Sequence, residues 1–204
     1  IMKIALIITT GRTGSDFLQH CLDGLNGLIV FSDKFDYHQF FKNKNSLEDS
    51  KLLLSQFLKI YSHLFSVIKF ENIKINLSIK SFKSHFLKLS KGKMINRKEF
   101  LTLLYKSYHL TCGKKLKNVK TIIHHSHGIN NSIKVLEDFP DAKLLITIRN
   151  PLANLRSGLI NWFKHDKSRI SMWHVFFYIY RIRQDLKFLL NLKNKKKFIK
   201  IEEA

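Results

Sequence analysis

The sequence is poor in the features that mark secreted and membrane-embedded proteins. Its 204 residues include two cysteines, Cys21 and Cys112, which do not make a disulfide framework, so we expect a reducing compartment, the cytoplasm. The strongest apolar run, Met172–Tyr180, contains His174 and falls short of the roughly 18 residues that a membrane span needs. The run Lys3–Ile8 is too short for a signal peptide and predicts a core strand instead.

Acidic residues are also scarce. Fifteen Asp and Glu stand against 36 Lys and Arg, which leaves a formal net charge of +21. This imbalance favours an anionic partner: a phosphorylated ligand, an acidic glycan, the anionic inner face of a membrane, or a nucleic acid. The charge does not choose among them, because many lysines fall in Lys/Asn-rich stretches such as 42–45 and 193–197, a pattern typical of a solvated surface.

Short apolar strands alternate with helical segments at both ends of the chain. Strands are predicted at 3–8, 28–31, 120–124, 143–148 and 197–201, and helices at 15–25, 131–138, 151–163 and 171–192. The first helix is expected to place its apolar residues on one face: Phe17, Leu18, Cys21, Leu22 and Leu25. The alternation predicts an α/β fold with a central parallel sheet between two helical layers, and ligands then bind beyond the carboxyl ends of the strands. The length fits one domain over 1–204.

Residues 33–118 differ from the rest of the chain in composition: they are rich in Lys, Ser, Phe and Leu, and their apolar residues have helical spacing. We interpret this segment as a mostly helical insertion. Its aromatic side chains are expected in the core rather than on a ligand-binding surface: Phe57, Tyr61, Phe65, Phe82, Phe86, Phe100, Tyr105 and Tyr108.

The most informative stretch joins the first strand to the first helix, Thr10-Gly11-Arg12-Thr13-Gly14-Ser15. A cationic, glycine-bearing turn before a helix directs free N–H groups and the positive end of the helix dipole at one place, which suits a phosphate between Arg12 and Ser15. The alternative is a tight turn in which glycine supplies a positive φ and Ser15 only caps the helix. The spacing does not match a Walker A loop, which argues against ATP-type phosphoryl transfer.

A second candidate anion site follows the strand at 143–148. Asn150 can cap the next helix and Pro151 suits its first position, so Arg149 is expected at the carboxyl end of the strand. Arg156 and Ser157 come about two turns later, and arginine matches phosphate geometry bidentately. The alternative is an ordinary capped helix with a surface arginine.

A third candidate is the histidine-rich segment His124-His125-Ser126-His127, at the end of another strand. An extended segment sends alternate side chains to opposite faces, and no Cys, Asp or Glu stands nearby, so we expect no metal site. A general base must lie in the cleft, which His125 or His127 satisfies better than His124. The alternative is a set of polar loop histidines.

Two anion sites and a candidate base, all at strand ends, describe a nucleotide with phosphate at both ends of its sugar. The turn at 10–18, Arg149-Asn150-Pro151 with Ser157, and His127 resemble the sulfotransferase superfamily, whose donor is 3′-phosphoadenosine 5′-phosphosulfate. The loop arginine followed by Gly-Ser-Asp is closer to the bacterial and carbohydrate-modifying branches. The resemblance covers about 1–32 and 119–204, including a closing segment similar to the family's strand ending in Tyr-Glu-Asp, and it implies a P-loop-like form of the α/β fold.

By this resemblance, Gly11-Arg12-Thr13-Gly14-Ser15 binds the 5′-phosphosulfate of the donor, and Arg12 contacts the transferring sulfuryl group as a catalytic residue. Arg149 and Ser157 have the family's eight-residue spacing and bind the 3′-phosphate. The donor acts as co-substrate, and no metal is implied.

The resemblance assigns the catalytic base to His127, with His125-Ser126 in place of the Lys-Thr pair that precedes it in the family. Asp16 departs from the hydroxyl residue common at its position. Its carboxylate would repel a phosphosulfate unless it turned away towards the helix N-terminus, so we do not expect it to be a donor ligand.

The implied activity is transfer of a sulfuryl group to an acceptor hydroxyl, with a carbohydrate or glycolipid as the expected acceptor and the insertion at 33–118 as its wall or lid. The chain ends before the family's carboxy-terminal segment, so it is expected to be a fragment or a minimal version. The alternatives are a nucleotide-binding kinase-like protein, a basic nucleic-acid-binding protein and an inactive sulfotransferase-like fragment. No nucleic-acid-binding motif is recognised, so no specific nucleic acid is expected.

Overall fold

Strands and helices alternate at the two ends of the chain, and a mostly helical segment lies between them. The computed structural model describes residues 2–9, 13–68, 74–127, 129–166 and 171–193. In chain order the elements are β1 (Lys3–Thr9), α1 (Ser15–Leu22), β2 (Leu28–Val30), α2 (Tyr37–Phe41), β3 (Leu47–Asp49), α3 (Ser50–Tyr61), β4 (Ser66–Ile68), β5 (Lys74–Asn76), α4 (Ile79–Ser90), β6 (Met94–Asn96), α5 (Arg97–Thr111), β7 (Thr121–His127), α6 (Ile129–Asp138), β8 (Lys143–Thr147), α7 (Pro151–Asp166) and α8 (Met172–Lys193), with short 3-10 turns at Ser62–Phe65 and Leu116–Asn118. The predicted strand at 197–201 lies outside the described residues.

The central sheet has four parallel strands in the order β2–β7–β1–β8. Alternate side chains of β1 point to opposite faces, and both sets are buried, as expected for a parallel strand covered on both sides. Ala5 and Ile7 face α1, which packs through Leu18 and Leu22. Leu6 belongs to the larger core on the other face, where α6 contacts the sheet. The predicted α/β class, with a parallel sheet flanked by helices, is confirmed.

The insertion is mostly helical, as predicted, and adds two short antiparallel pairs, β3 with β6 and β4 with β5. The aromatic side chains expected in its core are all buried. Many meet edge to face, as Phe35 does with Phe57 at a centroid distance of 5.3 Å. A single cluster of buried residues contains both Phe57 of α3 and Leu6 of β1, so the insertion packs directly on the sheet.

The prediction for α1 is wrong in two respects. The helix ends at Leu22, where Asp23 takes an extended conformation, rather than at Leu25. Phe17 is 63% exposed and Cys21 is also exposed, although both were expected on the buried face. The buried stripe includes Gln19 instead, because its amide nitrogen donates to the carbonyls of Phe31 and Asp33 at 2.9 and 3.3 Å and so satisfies a buried polar group.

Helices α7 and α8 approach each other closely at Gly158. A Cβ at this position would lie 2.4 Å from both Cζ and Oη of Tyr178, so only a residue without a side chain fits under the tyrosine ring. The Tyr178 hydroxyl donates to Oδ1 of Asn154 at 3.2 Å, one turn earlier in α7. Both Tyr178 and Asn154 are buried, which fixes α8 against α7 at this point.

Gly158→Ala is therefore expected to destabilise the protein. Alanine ordinarily stabilises a helix relative to glycine by roughly 0.5–1 kcal/mol, but the clash with Tyr178 should reverse the sign and cost about 1–3 kcal/mol, the usual range for overpacking. Urea unfolding measures the change. The control is a double-mutant cycle with Tyr178→Leu, in which removal of the ring should make the alanine less costly. An alanine variant as stable as the parent would contradict this packing.

Candidate functional site

Three strands end side by side at one edge of the sheet. Thr9, the last residue of β1, is in register with His127, the last residue of β7, on one side. On its other side Thr9 is in register with Thr147, the last residue of β8. The three segments singled out in the sequence therefore leave the sheet at the same edge, the place where parallel α/β proteins bind ligands.

Three threonine hydroxyls connect two of these strand ends. Thr13 Oγ1 lies 2.7 Å from Thr9 Oγ1 and 2.5 Å from Thr147 Oγ1. Thr9 and Thr13 are buried, so these hydrogen bonds are made away from bulk water. Thr13, the first described residue of the turn, is thus tied to the ends of both β1 and β8. Thr147 was not singled out from the sequence, because its contact with Thr13 joins residues 134 positions apart.

The start of α1 has the geometry of an N–H-rich turn. Gly14 is the N-cap and adopts a left-handed conformation, with φ 81° and ψ 10°. This value explains the glycine, since other residues rarely adopt it. Ser15 is the first helical residue and is buried, so the interpretation in which it caps the helix is wrong. Gly11 and Arg12 lie outside the described residues.

Asp16, the acidic residue in the first turn of α1, is engaged by a cation. Its Oδ1 lies 2.9 Å from Nζ of Lys34, and its Oδ2 accepts from the same nitrogen at 3.0 Å. An acidic side chain near a helix N-terminus also interacts favourably with the helix dipole. The carboxylate is thereby partly compensated beside the candidate anion site. Lys34 was missed in the sequence, where it stands in a stretch without a recognisable pattern.

His125 is a buried strand residue and not a loop residue. Strand β7 extends to His127 rather than ending at 124, because it pairs with β1 over seven residues. His125 Nδ1 lies 2.6 Å from Oε1 of Gln19. The two carbonyl partners of the Gln19 amide nitrogen assign its oxygen to this contact, so Nδ1 of His125 is the donor. In the neutral ring the basic lone pair is then on Nε2. The same Nδ1 lies 3.7 Å from Oδ1 of Asp16.

His124 occupies the opposite face of β7, within the aromatic core. Its Nδ1 lies 2.9 Å from the hydroxyl of Tyr105, and its ring contacts those of Phe35 and Tyr37 edge to face. Burial, with a smaller contribution from the neighbouring His125, lowers the pKa of His124 to about 3. His124 is therefore neutral and structural, and it lies within the strand, as the sequence predicted. The interpretation of these histidines as polar loop residues is wrong. The side chain of His127 lies outside the described part of the structure.

The residues of the second predicted anion site line a shallow groove of about 670 Å³ along one side of α7. Asn150 caps the helix as predicted, since its Oδ1 accepts from the N–H groups of Leu152 and Ala153 at 2.9 and 3.3 Å. Arg149 and Ser157 both line the groove, and Arg156 lies there with them. The other lining residues are Leu152, Ala153, Ile160 and Asn161.

The two candidate anion sites are neighbours. Arg149 follows Thr147 by two residues, and Thr147 is hydrogen-bonded to Thr13 at the start of α1. The N-terminus of α1 and the Arg149 groove are therefore two adjacent candidate sites for anionic groups. Within residues 2–9, 13–68, 74–127, 129–166 and 171–193, no three His, Cys, Asp or Glu side chains gather as a metal site. In the same part of the chain, no helix combines the length and apolarity needed to cross a membrane.

Comparison of the chain with protein-family models, with curated proteins and with solved structures gives no match. Function is therefore inferred from the geometry of the strand ends and from the residues found there.

The titration of His124 predicts how stability depends on pH. Its pKa is lowered from 6.5 to about 3 in the folded protein. Between these two pKa values the unfolded chain binds a proton at His124 and the folded chain does not. The stability that neutral His124 contributes is therefore complete above the unfolded pKa and is lost as pH falls towards 3. Between about pH 7 and pH 5 this one group should remove about 2 kcal/mol.

The measurement is the free energy of unfolding in urea at both pH values, for the parent and for His124→Leu. The variant should be less stable overall, because Tyr105 loses its hydrogen-bond partner. The diagnostic quantity is the difference between the two pH values, which should be smaller in the variant by about 2 kcal/mol. Equal differences in both proteins would show that His124 can be protonated in the folded state.

Proposed function

We propose that this protein is a sulfotransferase that uses 3′-phosphoadenosine 5′-phosphosulfate as donor. The observation that carries the proposal is the register of Thr9 with both His127 and Thr147, which brings the start of α1, a histidine segment and an arginine-lined groove to one sheet edge. A donor with phosphate at both ends of its ribose needs two such sites next to each other. The P-loop-like form of the fold is part of this proposal and is supported by the strand, glycine turn and helix at the centre of the sheet.

The residues present fit such a donor. The 5′-phosphosulfate is placed at the turn of Gly11 to Ser15, where Gly14 in the left-handed conformation lets the backbone approach an anion closely. Thr13 contributes its backbone N–H, because its hydroxyl is engaged by Thr9 and Thr147. The 3′-phosphate is placed in the α7 groove, where Arg149 offers a bidentate fork and Ser157 a hydroxyl.

The reaction is a single in-line displacement at sulfur. The acceptor hydroxyl oxygen forms a bond to sulfur while the bond from sulfur to the bridging oxygen breaks, and the 5′-phosphate leaves with that electron pair. His127 takes the acceptor proton as general base. Arg12 and the N–H groups at the start of α1 stabilise the charge that develops on the bridging and equatorial oxygens.

His125 has a different place in this proposal. Its ring is buried and oriented through Gln19, and it lies on the β7 strand two residues before His127. The sequence offers it as the second candidate for the base, but its Nε2 is buried rather than in the cleft, which favours His127 for that role. A His125→Asn variant separates the two assignments when it is compared with His127→Asn in the same transfer assay.

The expected acceptor is a hydroxyl of a carbohydrate or glycolipid, reached from the cytoplasm or its membrane face. The insertion at 33–118 is proposed as the wall of the acceptor site. Its buried aromatic side chains support the fold, so acceptor recognition is assigned to its surface and not to those rings.

Donor binding is tested by calorimetry with 3′-phosphoadenosine 5′-phosphate. We expect micromolar affinity, weakened by about 10- to 100-fold in Arg149→Ala through loss of a charged hydrogen-bonded contact. Ser157→Ala should weaken it by about 2- to 10-fold. Arg183 is an exposed arginine of α8, so Arg183→Ala is the matched control and should leave the affinity for the nucleotide unchanged. The absence of binding, or preferential binding of ATP, would favour an inactive fragment or a kinase-like protein.

Catalysis is tested by transfer from labelled donor to a panel of simple carbohydrate acceptors. Arg12→Ala should reduce the rate by about 100- to 1000-fold, the usual cost of one donor to a transition-state oxyanion. Circular dichroism should show an unchanged fold, and Arg12→Lys should restore part of the rate by keeping the charge. Retention of most activity by Arg12→Ala would remove its catalytic role.

A further inference from the structure

Helix α8 exposes large aromatic side chains on its outward face. Trp173 is 82% exposed, Phe176 56% and Tyr180 60%. The three stand at i, i+3 and i+7, so they form one stripe over the first two turns of the helix. Contiguous exposed apolar surface of this kind marks an interaction site.

This stripe is not the face by which α8 packs on the protein. The opposite stripe carries Tyr178, Ile182 and Leu189, which are all buried. Tyr178 is fixed by Asn154 and by the close approach of Gly158, and Leu189 belongs to the main core. The helix is thus already anchored by one side, and the aromatic stripe points away from that anchor.

Two basic side chains lie further along the same outward face of α8. Arg183 stands three residues after Tyr180, Lys187 stands seven residues after Tyr180, and both cations are exposed. From Trp173 to Lys187 the face extends about 21 Å at 1.5 Å per residue. Aromatic side chains therefore occupy its first half and basic side chains its second.

We propose that this face of α8 docks on an anionic lipid bilayer. Trp and Tyr favour the headgroup level of a membrane, where an apolar ring and a polar edge are both accommodated. Lys and Arg on the same helix contact the negatively charged headgroups. In this arrangement Trp173, Phe176 and Tyr180 enter the interface, and Arg183 and Lys187 pair with lipid phosphates and carboxylates.

The charge of the chain and the shape of the helix favour an anionic bilayer over a second copy of the chain or a single-stranded nucleic acid as the partner of this face. A second copy would place one molecule of net charge +21 against another, with the Arg183 and Lys187 faces opposed, which disfavours association. A helix also presents a convex ridge, whereas proteins that stack single-stranded nucleic acid on aromatics hold it in a basic groove. An anionic bilayer is flat, extended and oppositely charged. This proposal does not depend on the identity of the nucleotide.

The test is co-sedimentation with phosphatidylcholine vesicles, with and without phosphatidylserine. The protein should bind the mixed vesicles, and Trp173→Ala/Phe176→Ala should weaken binding by at least about 10-fold through loss of buried apolar area. Arg183→Gln/Lys187→Gln should weaken it by about 25-fold, since each cation near such a surface contributes about fivefold. The matched controls are Leu52→Ala/Met94→Ala and Lys59→Gln/Lys83→Gln, exposed residues of the insertion, which should bind as the parent does.

Tryptophan fluorescence adds a readout of depth. The chain has two tryptophans, so Trp162→Phe leaves Trp173 as the sole reporter. Its emission should shift to the blue on mixed vesicles and be quenched by lipids brominated in the acyl chains, as expected for a ring at the interface.

Three results would overturn the proposal. The first is equal vesicle binding by the parent and the aromatic variant, which would leave only general charge attraction. The second is a dimer in sedimentation velocity without lipid that Trp173→Ala abolishes, which would assign the face to a second copy. The third is binding of a single-stranded oligonucleotide that depends on Trp173 while vesicles do not bind.

Discussion

The parallel pairing of β1 with both β7 and β8 is the interaction on which the rest of the structure depends. β1 is hydrogen-bonded along its length to β7 and over its last five residues to β8, and its apolar side chains are buried on both faces. Because neighbouring strands run in the same direction, all three must end at one edge. The register then decides which residues meet there: Thr9, His127 and Thr147. A slip of one residue would turn Leu6 and Ile7 to the wrong faces, so the apolar side chains that stabilise the sheet also fix the candidate site.

Buried polar contacts complete this edge. Gln19 connects α1 to the ring of His125 and to the backbone beyond β2, and Thr13 connects the start of α1 to the ends of β1 and β8. Each such group would be costly if it were buried without a partner, and the contacts therefore specify how α1 sits on the sheet. The same contacts hold the first turn of α1 in place. A site for an anion needs this rigidity, because N–H groups bind well only when they are already oriented.

The four strands of the parallel sheet, the helix cap at Asn150 and the aromatic core of the insertion could be predicted from the sequence, because each depends on local spacing or on apolar residues that must be buried. The face of α1 could not be predicted in the same way. Periodicity assigned Phe17 and Cys21 to the core, whereas the buried stripe contains Gln19, whose partners lie 12 or more residues away. The available signal was the position of Gln19, which shares one helix face with Ser15 and Leu22. The ion pair of Asp16 with Lys34 likewise joins segments that the sequence gives no reason to connect.

Phosphorus-31 NMR of bound 3′-phosphoadenosine 5′-phosphate gives the most direct test of two adjacent anion sites, because the two phosphates have separate resonances. With the parent protein both resonances should shift on binding. With Arg149→Ala, at a protein concentration that keeps the nucleotide bound, the 3′-phosphate resonance should return towards its free position while the 5′-phosphate resonance stays shifted. Two resonances that respond equally to the substitution, or that never move with the parent protein, would contradict two distinct sites at this edge of the sheet.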